Sequence, residues 1–185
     1  MTNNKIQEIS EKLIASYWWN NSTHKGNLGE MIAIHHFEIT KQAFIHVNQD
    51  SWSYPPAMEA LGAKRPDFFL LNRFNICKII DVKMHALDDN FNFTLPNDEI
   101  VQYIQLHEHL MSVLNCQYLD INFEFFVIPL NSQEESFATV SFQEMIDSQK
   151  EVTLSSGQGE IRSFNYSVSI KNRLKPLFKS VKTTF

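Results

Sequence analysis

The chain has 185 residues, of which 43% are hydrophobic and 20% are charged, and its formal net charge is −5. These values fit one globular domain over residues 1–185 and exclude a fibrous or disordered chain. No apolar run reaches the roughly 18 residues that cross a bilayer, and the amphipathic N-terminus, with Glu8 and Glu11, is unlike a secretory signal. Two cysteines that lie far apart in sequence predict no disulfide framework, so we expect a cytoplasmic protein without a membrane partner.

Charge is divided unevenly along the chain. All 21 acidic residues lie at or before Glu160, whereas residues 161–185 hold six of the 16 basic residues and no acid. Such a basic C-terminal segment can face a polyanion, with Lys171, Arg173 and Lys175 as candidate phosphate contacts. A solvated tail whose lysines only keep the chain soluble explains the same pattern.

The first third of the chain shows alternating helix and strand patterns. Apolar residues at helical spacing predict helices over residues 3–19 and about 26–40. A run of β-forming residues predicts a strand at 42–49. Residues 50–65 contain two adjacent prolines and a glycine, which predict a loop with room for one helical turn.

Two strands, at 66–72 and 76–84, follow with a turn between them. A helix over about 96–114 and a strand at 121–129 come next, whereas residues 85–98 carry no assignable pattern before the helix. Weaker patterns predict a short helix near 141–150, a loop at 155–159, a strand at 161–170 and a basic end. The element order predicts an α/β sheet with helices on its faces.

The two strands at 66–72 and 76–84 carry charged side chains in otherwise apolar sequence. Asp67 begins the first strand, and Asp81 and Lys83 lie two residues apart in the second, so these two point to the same face. The same alternation assigns Cys77 and Ile79 to that face, and Ile80, Val82 and Met84 to the opposite one. If the strands pair as a hairpin, Asp67 falls beside Asp81. Buried charges are costly unless they are paired or bind a metal, so these side chains form a candidate site.

The residue types at this site suit phosphodiester hydrolysis. Two neighbouring carboxylates repel each other, which raises the pKa of one of them unless a cation lies between them. Carboxylate oxygens are preferred ligands of Mg²⁺ or Mn²⁺, which also share substrate phosphate oxygens. Lys83 could orient or help deprotonate an attacking water, or neutralise charge in the transition state.

Pro66-Asp67 followed by Asp81-Val82-Lys83 resembles the signature of the PD-(D/E)xK nuclease superfamily, which includes restriction endonucleases, Holliday junction resolvases and toxin nucleases. The second aspartate follows the first by fourteen positions, which lies in the range typical of that family. Gly29-Glu30 matches a glutamate that many members carry on the helix before the first core strand. The polar helix that contains Gln102 is similar to the helix that follows the family's catalytic lysine. The resemblance covers about residues 26–130.

The resemblance implies a restriction endonuclease-like α/β fold, with a mixed central β-sheet of about four core strands flanked by helices. It also implies a nuclease that depends on Mg²⁺ or Mn²⁺, in which Asp67, Asp81 and Glu30 hold the metal and Lys83 positions the nucleophile. DNA is the expected partner, and a homodimer or a protein partner is compatible with the sequence. Candidate nucleic-acid contacts near the motif are Lys64, Arg65, His85 and Gln102.

Several alternatives stay open. The substrate could be RNA, including the transfer RNA that some toxin members cut, or the chain could be a binding module that keeps the fold without turnover. Asp67 could instead cap a turn while Asp81 and Lys83 form a surface pair on an edge strand, and Glu30 could be an ordinary acid on a helix surface. Trp52 could stack on a base.

Overall fold

The computed structural model describes residues 22–72, 75–113, 122–130, 135–156 and 159–177. The predicted helix at residues 3–19 and the basic residues after Leu177 lie outside these ranges. The described helices are α1 (Ser22–Ile39), α2 (Pro56–Leu61), α3 (Asn97–Val113) and α4 (Phe142–Asp147). The described strands are β1 (Phe44–His46), β2 (Phe68–Asn72), β3 (Asn75–His85), β4 (Asn92–Pro96), β5 (Asn122–Pro129), β6 (Ser136–Ser141), β7 (Gln149–Ser156), β8 (Gly159–Ser169) and β9 (Lys175–Pro176).

The strands form two sheets. The larger sheet has six strands in the order β1-β2-β3-β5-β6-β9, and the smaller has the order β4-β8-β7. Neighbouring strands of the larger sheet are antiparallel except for β3 and β5, which are parallel. Because parallel neighbours need a crossover connection, the chain passes from β3 to β5 through β4 and α3. The architecture is therefore mixed α/β, as predicted, although the main sheet has six strands rather than about four.

Most strong sequence patterns correspond to observed elements. The helix expected at about 26–40 is α1, the helix expected at about 96–114 is α3, and the strand expected at 121–129 is β5. The loop at 50–65 contains α2, a short helix that begins after Pro55 and ends at Gly62, whose positive φ of 65° favours glycine. β4, β6 and β7 were not predicted. Among the described helices, none is both long and apolar enough to cross a membrane.

The predicted hairpin of β2 and β3 is confirmed, with one change of register. Phe68 pairs with Ile80, but the register shifts between Leu70 and Leu71, which leaves Cys77 as an extra residue on β3. Such a bulge interrupts the alternation of side chains between the two faces. Cys77 therefore packs on the face opposite Asp81, and its predicted place beside Asp81 and Ile79 is wrong.

Each face of the six-stranded sheet has its own hydrophobic core. On one face α1 packs through Ile32 and Phe37 against residues such as Phe68 and Ile80. On the other face α3 and the smaller sheet share a core with β3 and β5, and its members include Ile79, Phe93, Tyr103, Phe125 and Tyr166. Burial of this apolar surface is the main stabilising contribution to the fold. It also fixes the first turn of α3 beside the C-terminal half of β3.

Candidate active site

Asp67 and Asp81 meet where β2 begins beside β3. Since Phe68 pairs with Ile80, the preceding residue, Asp67, lies next to Asp81 across the two strands. The backbone N–H of Asp67 donates to the Ile80 carbonyl at 3.0 Å, and Oδ2 of Asp67 accepts from the Val82 N–H at 2.6 Å. The backbone of β3 therefore holds the Asp67 carboxylate next to Asp81, as the hairpin prediction required.

Asp81 is buried and depends on Lys83 for compensation of its charge. The residue is 1% exposed, and Nζ of Lys83 lies 2.8 Å from its Oδ2. Apart from this ammonium, no described residue offers Oδ2 a hydrogen-bond donor. Because a carboxylate oxygen can accept more than one contact, Oδ2 retains the capacity to bind a second cation.

Asp67 keeps its proton at neutral pH unless a cation compensates its charge. Burial, and then the charge of Asp81, raise the pKa of Asp67 from 3.8 to about 8, although the hydrogen bond from Val82 acts in the opposite direction. Glu30 also raises the pKa of Asp67, whereas Lys83 lowers it. Adjacent carboxylates with this repulsion are the arrangement that a divalent cation relieves.

Glu99, on the first turn of α3, is a third acid at this site and was not predicted. Its Oε1 lies 2.6 Å from Nζ of Lys83 and 2.6 Å from Nζ of Lys64. The hydroxyl of Tyr103, one turn further along α3, donates to the same oxygen at 3.3 Å. Burial alone would raise the pKa of Glu99, but the charge of Lys83 and the hydrogen bond from Lys64 lower it to about 2.

Lys83 is held as a protonated ammonium. The residue is only 8% exposed, and burial alone would lower the pKa of Lys83. The charges of Asp81 and Glu99 outweigh burial and raise that pKa above its usual range. Of the roles predicted for this lysine, neutralising charge and orienting a water fit a permanent cation, whereas accepting a proton does not.

We define the Lys83 cluster as five charged side chains, namely Asp67, Asp81, Lys83, Glu99 and Lys64. Its two lysines are near the Tyr103 ring, with their Nζ atoms 5.2 Å (Lys64) and 5.4 Å (Lys83) from the ring centroid. Sequence offers little signal for Glu99, because acids in the first turn of a helix are common wherever they complement the helix dipole. The one indication in the sequence is Tyr103, which follows Glu99 by four residues. This spacing places the side chains of Glu99 and Tyr103 on the same face of α3.

Glu30 lies on α1, on the other face of the sheet from Glu99. Gly29 explains how closely α1 approaches β3, because a Cβ at this position would lie 3.2 Å from Cγ1 of Val82. Oε2 of Glu30 is 2.7 Å from Nε2 of His46, whose ring stacks on Phe68 at 4.8 Å. Within the described ranges, no three His, Cys, Asp or Glu side chains are grouped closely enough to hold a metal ion. The role of Glu30 as a metal ligand stays a prediction.

Arg65 organises the loop before α2. Its guanidinium donates to the carbonyls of Asn48, Gln49 and Asp50 and to Oγ of Ser53, at distances between 2.5 and 3.1 Å. These hydrogen bonds occupy the guanidinium of Arg65, which was predicted to contact phosphates. The loop presents Trp52, which is 79% exposed. Gln49 connects the same loop to the cluster, since its Nε2 donates to the Pro66 carbonyl at 2.9 Å.

Three other predicted nucleic-acid contacts lie around the Lys83 cluster. Lys64 is part of the cluster, and its backbone N–H donates to the Gln102 carbonyl at 3.1 Å. The side chain of Gln102 is exposed on α3. His85 is exposed at the end of β3, and partial burial and the charge of Lys83 lower the pKa of its imidazole.

The described residues of the basic C-terminal segment lie elsewhere. Arg173 pairs with Glu144 on α4, with 2.5 Å between Nη2 and Oε1. Lys171 is exposed in the same turn, and Lys175 lies on β9. In the sheet order β9 is three positions from β3, which corresponds to about 14 Å at the usual strand spacing. The structure thus separates Lys175 from the Lys83 cluster, and it pairs Arg173 with an acid of α4.

The Lys83 cluster brings together three carboxylates and two ammonium groups. Such a group can bind a divalent cation through Asp67 and Asp81 and can face an anion through its lysines. A residue whose pKa is strongly shifted by burial and by a specific charged neighbour is also typical of functional sites. No protein-family model matches this chain, and no curated protein matches it with significant sequence similarity.

Proposed function

We propose that the protein is a metal-dependent nuclease that hydrolyses phosphodiester bonds and has the restriction endonuclease-like fold of the PD-(D/E)xK superfamily. One observation carries the proposal: the carboxylates of Asp67 and the buried Asp81 lie side by side, next to the Lys83 ammonium, which is 2.8 Å from Oδ2 of Asp81. DNA is the proposed substrate because it is the commonest one among the nucleases that the motif resembles, which is an argument by analogy.

The order of elements supports the fold assignment. α1, the strands β1, β2 and β3, then α3 and β5 follow the order that the resemblance implies, and these four strands are neighbours in the main sheet. β6, β9 and the smaller sheet extend this core. A fold alone does not specify chemistry, so the enzymatic part of the proposal rests on the Lys83 cluster.

The donor atoms of the cluster suit Mg²⁺ or Mn²⁺. Asp67 and Asp81 offer carboxylate oxygens, which hard cations prefer over nitrogen or sulfur ligands. Two carboxylates leave room for waters and substrate phosphate oxygens, as is common for Mg²⁺ in protein sites. When bound, the ion would supply a Lewis acid that polarises the phosphate and activates water.

The residues of the chain have distinct roles in this proposal. Asp67 would lose its proton when it becomes a ligand, and the Val82 N–H would keep its carboxylate in place. Lys83, which is already charged, would offset the negative charge that develops on the phosphate. Glu30 would have to give up its contact with His46 to assist directly or through a water.

Cleavage assays with site variants test the proposal. Plasmid, single-stranded DNA and RNA are incubated with Mg²⁺ or Mn²⁺ and the parent protein, Asp81→Ala, Lys83→Ala or the control Lys78→Ala. We expect the parent and the Lys78 variant to cleave, and both cluster variants to lose at least about a hundredfold in rate, as when a preorganised charge-stabilising group is removed. Cleavage that survives in both cluster variants would refute the proposal.

A non-catalytic binding module is the second candidate function, and the position of Glu30 favours it. Glu30 pairs with His46, so the three predicted metal ligands are not assembled in the described structure. Binding of DNA or RNA without cleavage in either metal would support the module. Cleavage of RNA but not of DNA would support the nuclease, with RNA as its substrate.

A further inference from the structure

We infer that Glu99 is a positioning residue, which shares the Lys83 ammonium with Asp81 and so keeps Lys83 from being committed to the Asp81 oxygen that a divalent cation needs. This inference rests on the proposed metal site. Nζ of Lys83 is close to both acids, at 2.6 Å from Glu99 Oε1 and 2.8 Å from Asp81 Oδ2. The contact with Glu99 is the shorter of the two and has the geometry of a hydrogen bond. Glu99 therefore competes with Asp81 for the same ammonium.

Without Glu99, Lys83 would be left with Asp81 as its carboxylate partner. A buried ammonium needs acceptors, and Lys83 is only 8% exposed. Its other close neighbour is the Tyr103 ring, whose centroid is 5.4 Å from Nζ and which offers a π face rather than a lone pair. Oδ2 of Asp81 is the nearest alternative carboxylate oxygen. A hydrogen bond there would compete directly with a metal ion.

Glu99 is itself held in place by three donors. Its Oε1 accepts from Lys83, Lys64 and Tyr103 together. Lys64 is in turn connected to α3 through the bond from its backbone N–H to the Gln102 carbonyl. These contacts hold the carboxylate where it can retain Lys83. They also balance its charge, so Glu99 acts through the position of Lys83 more than by attracting the cation itself.

Direct binding of Mn²⁺, followed by electron paramagnetic resonance of the free ion, tests the inference independently of cleavage. The full chain is compared as the parent, Glu99→Gln, Lys83→Met and the double variant. We expect Glu99→Gln to weaken Mn²⁺ binding roughly tenfold, as for the loss of one hydrogen bond to a charged group. In the Lys83→Met background the same substitution should change the affinity less than about twofold, because the competing ammonium is gone.

Two further variants separate position from charge. Glu99→Asp keeps the charge but shortens the side chain, and Glu99→Gln combined with Lys64→Met restores the net charge of the parent. Both should still bind Mn²⁺ more weakly than the parent. Circular dichroism checks that each variant folds, and Glu99→Asp serves as the main test if Glu99→Gln does not.

The outcomes distinguish this inference from the proposed function. Equal effects of Glu99→Gln with and without Lys83 would overturn the inference, since they would reveal a plain charge effect, and would leave the cleavage assay untouched. Tight Mn²⁺ binding with the expected coupling but no cleavage would support the inference and refute the nuclease. A parent that binds no Mn²⁺ overturns the inference whatever the cleavage assay gives.

Discussion

Two lysines on β3 differ in burial and in the number of their charged neighbours. Nζ of Lys78 lies 2.7 Å from Oε1 of Glu124 on β5, one cation for one anion, and the lysine side chain is 38% exposed. Lys83 is buried in a cluster that holds three carboxylates and two ammonium groups. A half-exposed pair contributes little to stability. The Lys83 cluster is electrically balanced only while Asp67 keeps its proton, and buried charges have a cost in folding free energy. A divalent cation, as proposed above, would offset the charge that Asp67 adds when it ionises.

The largest effect that we expect on stability comes from metal binding to the cluster. At pH 8, Mg²⁺ at one hundred times its dissociation constant should raise the free energy of unfolding by about 2.7 kcal/mol, because it binds only the folded state. Asp81→Asn should abolish this increase, since it removes one of the two ligands. Urea unfolding with and without Mg²⁺ measures the effect.

Glu124→Gln is the matched control for this experiment. It also removes a carboxylate near β3, but at the balanced pair, so the stabilisation by Mg²⁺ should persist. If both variants lose the metal effect, or if neither does, the two lysine environments do not differ in the way proposed.

The second prediction concerns the pH dependence of stability without metal. Burial and the charge of Asp81 raise the pKa of Asp67 from 3.8 to about 8, so between these values the folded state retains a proton that the unfolded chain releases. The free energy of unfolding should therefore fall as pH rises from about 4 to 8, with a slope of at most about 1.4 kcal/mol per pH unit.

Asp67→Asn isolates this contribution, because it cannot ionise and all other groups remain. Urea unfolding in the presence of EDTA at several pH values should give a flatter curve for the variant than for the parent. Parallel curves for the two proteins would mean that Asp67 titrates normally in the folded state. They would also remove the main argument for repulsion in the cluster.

Local sequence was sufficient to predict that Asp67 and Asp81 are neighbours. Alternation along β3 and a turn before Asn75 predicted a hairpin, and the hairpin alone brings Asp67 to Asp81. The bulge at Cys77 was beyond this reasoning, because an inserted residue depends on how both strands pack. It lies on the turn side of the motif, so it did not disturb the face of Asp81 and Lys83.

Glu99 could not be predicted, because long-range packing determines its position. Glu99 reaches Lys83 because the crossover through β4 places the first turn of α3 beside β3. β4 itself is a short strand in a stretch without an assignable pattern. β6 is buried along most of its length, so its sequence lacks the alternation that marks a half-exposed strand.

Arg65 illustrates a second limit of the sequence. A basic residue beside Asp67 was a reasonable phosphate contact, yet its planar guanidinium bonds to three carbonyls of a neighbouring loop. Guanidinium groups donate up to five hydrogen bonds, so they readily organise loops whose carbonyls lack partners. The choice between these roles depends on the path of the loop, which the composition of residues 50–65 does not specify.

The smallest effect should come from the balanced pair. A double-mutant cycle with Lys78→Met and Glu124→Gln should give a coupling energy of no more than about 1 kcal/mol in urea unfolding, because a half-exposed pair gains little over hydration. Cleavage by all three variants should match that of the parent. A coupling energy well above this value, or a loss of cleavage, would place Lys78 in the same class as Lys83. The group of neighbouring carboxylates would then no longer distinguish the two ends of β3.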